Sequence, residues 1–258
     1  MNTRLFGTSG VRGVAGREIT PELCLNLGFT LATYLGNSGT VVVGRDPRTT
    51  GRLLESVTVA GLLAGGCDVA LAGMVPTPVL ALGTKLIGAK AGVMVTASHN
   101  PPEYNGLKFW DEKGMAYTEE KESEIERIFF AGGWRKVEWN RIGSAREVDL
   151  LSLYEEEIRN RLHFESSLKV VVDCGNGAGS VLTPLLLRVF GCKVVSLNSN
   201  PDGRFPARGL EPNEKNLQSL AQVVREVAQI WGWPTTAMRT ELPLWMKRGG
   251  FWATSCWR

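Results

Sequence analysis

The chain has 258 residues, 43% hydrophobic and 21% charged, with a formal charge of +3; these proportions exclude a disordered or fibrous chain and suit one large or two ordinary globular domains. No apolar run reaches the roughly 18 residues of a membrane helix, and Met1 to Phe6 holds no apolar signal core. From Gln229 onward Arg239, Lys247, Arg248 and Arg258 stand against one acid, Glu241, which leaves 25 basic and 25 acidic residues before that point, so the body of the chain offers a nucleic acid no electrostatic footing.

Short β-branched runs alternate with amphipathic segments. Thr20-Pro21-Glu22 predicts a helix start, with a capping hydroxyl, a proline in the first turn and an acid beside it. That helix runs through Leu25, Leu27 and Leu31 and can end at Gly36. A strand follows at Val41–Val43, a helix at Leu53–Leu63, and strands at Val69–Leu71 and Ala91–Val95. Beyond the irregular stretch 132–144 come a helix at Leu150–Leu162, a strand at Lys169–Val172, a helix at Val181–Phe190, a strand at Lys193–Leu197 and a helix at Leu217–Val227. The alternation predicts an α/β fold, a mixed and mostly parallel sheet flanked by helices, with a complete domain over 1–147 and part of a second over 148–228.

The segment 229–258 breaks this pattern. It holds five of the eight tryptophans, no Asp and no regular periodicity, and it is expected not to be natively structured. Disorder disfavours aromatics, so an out-of-frame end explains the composition better. Five scattered cysteines, odd in number and without a C-x-x-C pair, fit a reducing cytoplasm rather than a disulfide framework or a zinc site.

Thr96-Ala97-Ser98-His99-Asn100-Pro101-Pro102 carries the strongest chemical signal. An apolar strand leads into a hydroxyl, a ring nitrogen follows at once, and Lys108 comes ten residues later. Asn-Pro-Pro stops a helix and predicts a shaped loop. Nucleophile, titratable neighbour and cation on one such loop suit covalent group transfer. Singly, Ser98 could be a turn cap, His99 a core histidine and Lys108 a surface lysine. No G-x-S-x-G elbow is present, so the serine is not read as an esterase nucleophile.

Three further stretches bear on anions. Gly7-Thr8-Ser9-Gly10-Val11-Arg12-Gly13 combines small residues with one arginine, which suits an anion cradle, although taken alone a plain turn with a surface arginine is favoured. In Gly44-Arg45-Asp46-Pro47-Arg48, directly after a strand, Arg45 or Arg48 turned toward phosphate and a turn in which Asp46 pairs with a neighbouring arginine and caps the next helix weigh about equally. Asp173-Cys174-Gly175-Asn176-Gly177-Ala178-Gly179 follows a strand and opens a helix, but no acid ends the next strand, and a tight structural turn is favoured over a nucleotide fingerprint.

Together with Asn105-Gly106-Leu107-Lys108, Asn200-Pro201-Asp202-Gly203-Arg204-Phe205-Pro206 and Glu211-Pro212-Asn213, these motifs in this order resemble the α-D-phosphohexomutase superfamily. The resemblance covers residues 1–228 and implies the phosphohexomutase-type α/β fold, with one domain complete and the next partial. It implies interconversion of hexose 6-phosphate and hexose 1-phosphate through a phosphoserine at Ser98 and a bisphosphate intermediate. Phosphomannomutase/phosphoglucomutase is the expected activity, with phosphoglucosamine mutase as the alternative. Arg12, Lys108 and His99 would act around the transferring group, and Thr8, Ser9, Arg45 and Asn100 would bind substrate or phosphate. Mg²⁺ would bridge the phosphate on Ser98 and a loop of aspartates, and hexose 1,6-bisphosphate would serve as activator. The expected partner is a small sugar phosphate, neither nucleic acid nor membrane, with the oligomeric state left open.

The family's metal loop, Asp-Gly-Asp-x-Asp-Arg, does not occur in the sequence as written. Reading the codons of Thr235 to Glu241 with the last base of each joined to the first two of the next yields Asp-Gly-Asp-Ala-Asp-Arg for permitted third bases. The chain is therefore expected to be truncated by a frameshift and inactive as it stands. Two other readings are carried: a non-catalytic sugar-phosphate or partner-binding fragment, and a nucleotide-binding α/β protein using Gly175–Gly179.

Overall fold

The computed structural model describes residues 4–7, 10–163, 165–227, 231–234, 243–246 and 251–253. They fall into two compact units, one of residues 1–97 and 103–154, the other of 98–102 and 155–258.

The first unit is built on a six-stranded sheet. Its strands are β1 (Val11–Val14), β2 (Thr40–Arg45), β3 (Asp68–Met74), β4 (Ala91–Val95), β5 (Tyr104–Asp111) and β6 (Ala145–Glu147), in the spatial order β1-β5-β4-β2-β3-β6. The pairs β2–β3, β2–β4 and β3–β6 are parallel, whereas β5 runs antiparallel to both β4 and β1. Helix α1 (Pro21–Tyr34) starts where Thr20 Oγ1 accepts from the Leu23 amide at 3.2 Å. Helix α2 (Gly51–Ala64) packs on α1 at Gly28 and Gly61, where a Cβ on Gly28 would stand 2.5 Å from the Thr58 carbonyl. With α4 (Glu119–Phe130) these helices cover one sheet face, burying Val11, Leu27, Leu31, Val41, Val43, Leu54, Leu62, Val69, Val93, Leu107, Phe109 and Ile125. Helix α3 (Thr77–Leu86) lies on the opposite face, where Gly92 leaves room for the Thr84 and Leu80 side chains.

The second unit holds α5 (Leu150–Arg161) from Glu155 on, β7 (Lys169–Asp173), α6 (Thr183–Val189), β8 (Lys193–Leu197) and α7 (Gln218–Glu226). With β9 (Trp231–Pro234), β10 (Pro243–Met246) and β11 (Phe251–Ala253), its sheet has the order β11-β10-β9-β7-β8, and β7 is parallel to β8. Leu217, Leu220 and Val224 pack on Val171.

One sequence expectation is corrected here. Lys108 does not share a loop with Ser98, because the chain turns back after Glu103 into β5. The described residues of 229–258 include β9, β10 and β11. β9 pairs in parallel with β7, and β10 is antiparallel to β9 and β11. Backbone pairing asks only for an extended segment with available N–H and C=O groups, and Pro234, which lacks a donor, falls at the last residue of β9.

Candidate active site

Strand register places two of the expected cations. Val11, Leu107 and Phe109 point into the α1/α2/α4 core, so the alternation of a strand sends Arg12, Gly106 and Lys108 to the other face. Arg12 stands opposite Gly106, and Lys108 stands opposite Met94 on β4. Glycines make room for both stems. A Cβ on Gly106 would lie 2.9 Å from Arg12 Cγ, and one on Gly10 would lie 2.9 Å from Lys108 Cγ. Gly10 also adopts φ +83°, which favours glycine on its own account. Arg12 and Lys108 are both half-buried.

Ser98 follows β4 by three residues and adopts φ +61°, a left-handed conformation unusual for a serine. Such a backbone costs about 1–3 kcal/mol and persists where the surroundings over-determine it. Its Oγ lies 3.3 Å from His99 Nδ1, close enough for the hydroxyl to donate when Nδ1 carries the lone pair. Ser98 is nearly buried, Asn100 is half-buried and His99 is exposed, so His99 is not a core histidine.

Both stems of this loop meet the segment after β2. Thr96 Oγ1 donates to Asp46 Oδ2 at 2.7 Å, and the Thr96 amide donates to the Gly106 carbonyl at 2.8 Å. Asp46 also accepts from the Arg48 amide at 3.0 Å and from Arg48 Nε at 3.1 Å. Arg48 Nη1 donates to the Tyr104 carbonyl at 2.8 Å, and Asn105 Nδ2 donates to Thr50 Oγ1 at 2.9 Å. Asp46 and Arg48 are 0% and 2% exposed. Burial pushes the carboxyl up and the guanidinium down, and their mutual attraction opposes both effects.

The other expected binding residues divide. Arg45 Nε lies 3.1 Å from Glu55 Oε2, so its charge is already met within the fold. Burial pushes the Glu55 carboxyl up, against the pull of Arg45. Thr8 and Ser9 lie outside the described residues. Their flanks are fixed, because Glu126 Oε1 accepts from the Leu5 and Phe6 amides at 2.6 and 2.8 Å and the Gly7 amide donates to Gly10 O at 3.0 Å.

In the second unit the glycine loop after β7 is closed by the protein itself. Asp173 Oδ2 accepts from Arg208 Nε at 2.8 Å, while its Oδ1 accepts from Asn198 Nδ2 and the Gly175 amide, each at 2.9 Å. The space that a Gly175 side chain would fill holds the Arg208 guanidinium, 2.7 Å from an ideal Cβ. Asn176 Nδ2 donates to Asn200 O, and its Oδ1 accepts from the Ala207 amide. The arrangement fits the structural turn favoured from sequence. What sequence reasoning missed is Arg208 as the closing partner; the signal available was an acid ending a strand beside a glycine that needs φ +52°.

Mg²⁺ calls for several oxygen ligands, usually carboxylates. Among the described residues no group of three or more His, Cys, Asp or Glu side chains could hold a metal ion. These residues do not by themselves make a divalent-cation site, and Ser98 alone does not supply one. Among the same residues no helix is long and apolar enough to cross a membrane.

The chain matches known proteins in sequence and in fold. Residues 3–136 match the family described as "Phosphoglucomutase/phosphomannomutase, alpha/beta/alpha domain I", and residues 152–232 match its "alpha/beta/alpha domain II". The chain is 50% identical over 222 residues to a Methanobrevibacter smithii protein named "Probable phosphoglucosamine mutase", covering 86% of this chain and 50% of that one. It is 46% identical over 237 residues to a Thermococcus kodakarensis protein named "Phosphoglucomutase/phosphomannomutase", covering 89% of this chain and 52% of that one. A crystal structure of a phosphoglucomutase/phosphomannomutase family protein from Burkholderia thailandensis superposes with a TM-score of 0.86 at 28% identity, over 97% of this chain and 56% of that one. The chain belongs to the phosphoglucomutase/phosphomannomutase family and corresponds to its N-terminal portion. It spans about half the length of the curated relatives it matches.

Proposed function

We propose that this chain carries the phosphoryl-transfer half of a phosphohexomutase, with Ser98 as the carrier. The observation that supports this most is the placement of Ser98, a hydroxyl in a left-handed turn at the exit of β4 with its oxygen against His99 Nδ1. In the forward step a hydroxyl oxygen of a sugar monophosphate attacks the phosphorus on Ser98. The new sugar O–P bond forms as the Ser98 O–P bond breaks, and the proton of the attacking hydroxyl leaves through a nearby base, for which His99 is the candidate. The sugar bisphosphate then turns, and Ser98 Oγ takes back the other phosphate. Arg12 and Lys108, brought to one sheet face, suit the stabilisation of charge on the equatorial oxygens. Asn100, Thr8 and Ser9 would bind phosphate or sugar, and Arg45 would do so only after exchanging Glu55 for the ligand.

Mg²⁺ as metal and hexose 1,6-bisphosphate as activator belong to this reading through the family. So does a cytoplasmic location. Glucose and mannose phosphates are the proposed substrates. A second reading, glucosamine phosphate, is favoured by the naming of the 50%-identical relative. Ratios of kcat/KM for glucose 1-phosphate, mannose 1-phosphate and glucosamine 1-phosphate, measured on the protein with its reading frame restored after Val227, decide between them. Loss of all three activities is expected for Ser98→Ala; turnover surviving that change contradicts the proposal. The nucleotide-binding alternative has little support, since Arg208 occupies the space beside Gly175 that a phosphate would approach.

A further inference from the structure

The Asp46–Arg48 pair is buried within the first unit, and its side chains bond to the two segments that flank Ser98 in sequence. Asp46 takes the Thr96 hydroxyl, two residues before Ser98, and Arg48 takes the Tyr104 carbonyl, six residues after it. Thr50, from the same segment, takes the Asn105 amide. The residue that caps α2, Thr50, makes no side-chain cap hydrogen bond. A buried ion pair costs desolvation, and similar-sized apolar residues would often fill such a space as well. What this pair does that apolar residues cannot is grip the two stems at fixed donor and acceptor positions.

We infer that Asp46 and Arg48 are positioning residues that clamp both stems of the chain segment carrying Ser98, holding Thr96 before it and Tyr104 after it in fixed register. The inference rests on the reading of Ser98 as the phosphoryl carrier, but its test uses no phosphoryl transfer, so the two can fail separately. Three variants of the full chain serve: Arg48→Lys, which keeps a charge but loses the guanidinium fork; Thr96→Val, which keeps the shape but loses the donor; and Thr96→Ser, which keeps the donor. Hydrogen exchange is read at Thr96 and Gly106, whose amides are bonded at the stems to Gly106 O and Asn105 Oδ1. Losing one such buried hydrogen bond corresponds to about a tenfold faster local exchange. Thr96→Val and Arg48→Lys are expected to show that rise at the stems, with amides of α1 and α2 unchanged, and Thr96→Ser to restore wild-type protection. An equal rise throughout the first unit, unchanged exchange at the stems, or failure of Thr96→Ser to restore protection overturns the inference.

Discussion

Arg208 closes on Asp173 at 2.8 Å across 35 residues of sequence, with both side chains almost wholly buried, 6% and 1% exposed. The pair joins the end of β7 to the loop after β8 and fills the space beside Gly175. Breaking a buried pair leaves one charge uncompensated, which costs about 3–5 kcal/mol. Arg208→Met is therefore expected to destabilise the second unit by that order. Urea unfolding followed by exchange at β7 and at β2 checks this: protection falls at β7 and holds at β2. Equal losses in both contradict a lock local to the second unit.

The crossing of α1 and α2 depends on two hydrogen atoms in place of methyl groups. A Cβ on Gly28 would press on the Thr58 carbonyl at 2.5 Å and on Gly61 Cα at 3.1 Å, both backbone atoms that cannot swing aside. Gly28→Ala gains helix propensity yet is expected to lose about 1–3 kcal/mol through overpacking. A lower denaturation midpoint with an unchanged m-value supports this; a stabilised protein refutes it.

Cys24 gives the protein an alkaline limit. Burial pushes its thiol from an ordinary value of 9.0 up to about 12, with the Thr58 hydrogen bond acting weakly the other way. The folded state thus holds the proton more tightly than the unfolded chain. The resulting stability is whole below about pH 9 and is lost as pH rises toward 12. Between pH 9 and 10.5 the loss from this group is about 2 kcal/mol, at 1.36 kcal/mol per unit. Cys24→Ala, less stable at neutral pH because of the cavity, should show a shallower alkaline decline by that amount. Identical slopes for the two proteins would dispose of the idea.

On the proposed reading, the metal loop that the resemblance implies is supplied only by the shifted frame, since Asp-Gly-Asp-x-Asp-Arg does not occur in the sequence as written. Coupled assays with glucose 1-phosphate and added Mg²⁺ are expected to give no turnover above background, while restoring the frame after Val227 recovers it. Robust turnover by the chain as written contradicts the frameshift account.

The sequence made the parallel strands and long helices legible and left specific elements hidden. β5 read as a loop because Asn105 and Gly106 interrupt it, yet both are spent on structure. The Asn105 amide serves Thr50, and Gly106 clears the way for Arg12. α4 carries four glutamates among its first six residues and buries only Ile125, so its apolar stripe is too thin to stand out. Ser98, Arg12 and Lys108 stand out in the sequence because each lies in a motif with its own spacing. Asp46 and Arg48 were not assignable, since an arginine two residues after an aspartate can turn inward or outward, and only burial decides. Arg45, whose position suggests phosphate, pairs with Glu55, a partner the motif alone does not reveal.

Everything proposed about the chemistry converges on the oxygen of Ser98, and mass spectrometry of one peptide addresses it most directly. The frame-restored protein, supplied with Mg²⁺ and glucose 1,6-bisphosphate, is predicted to gain one phosphoryl group on the peptide containing Ser98, and Ser98→Ala to gain none there. A frame-restored protein that turns over sugar phosphates while that peptide stays unmodified throughout would contradict the account.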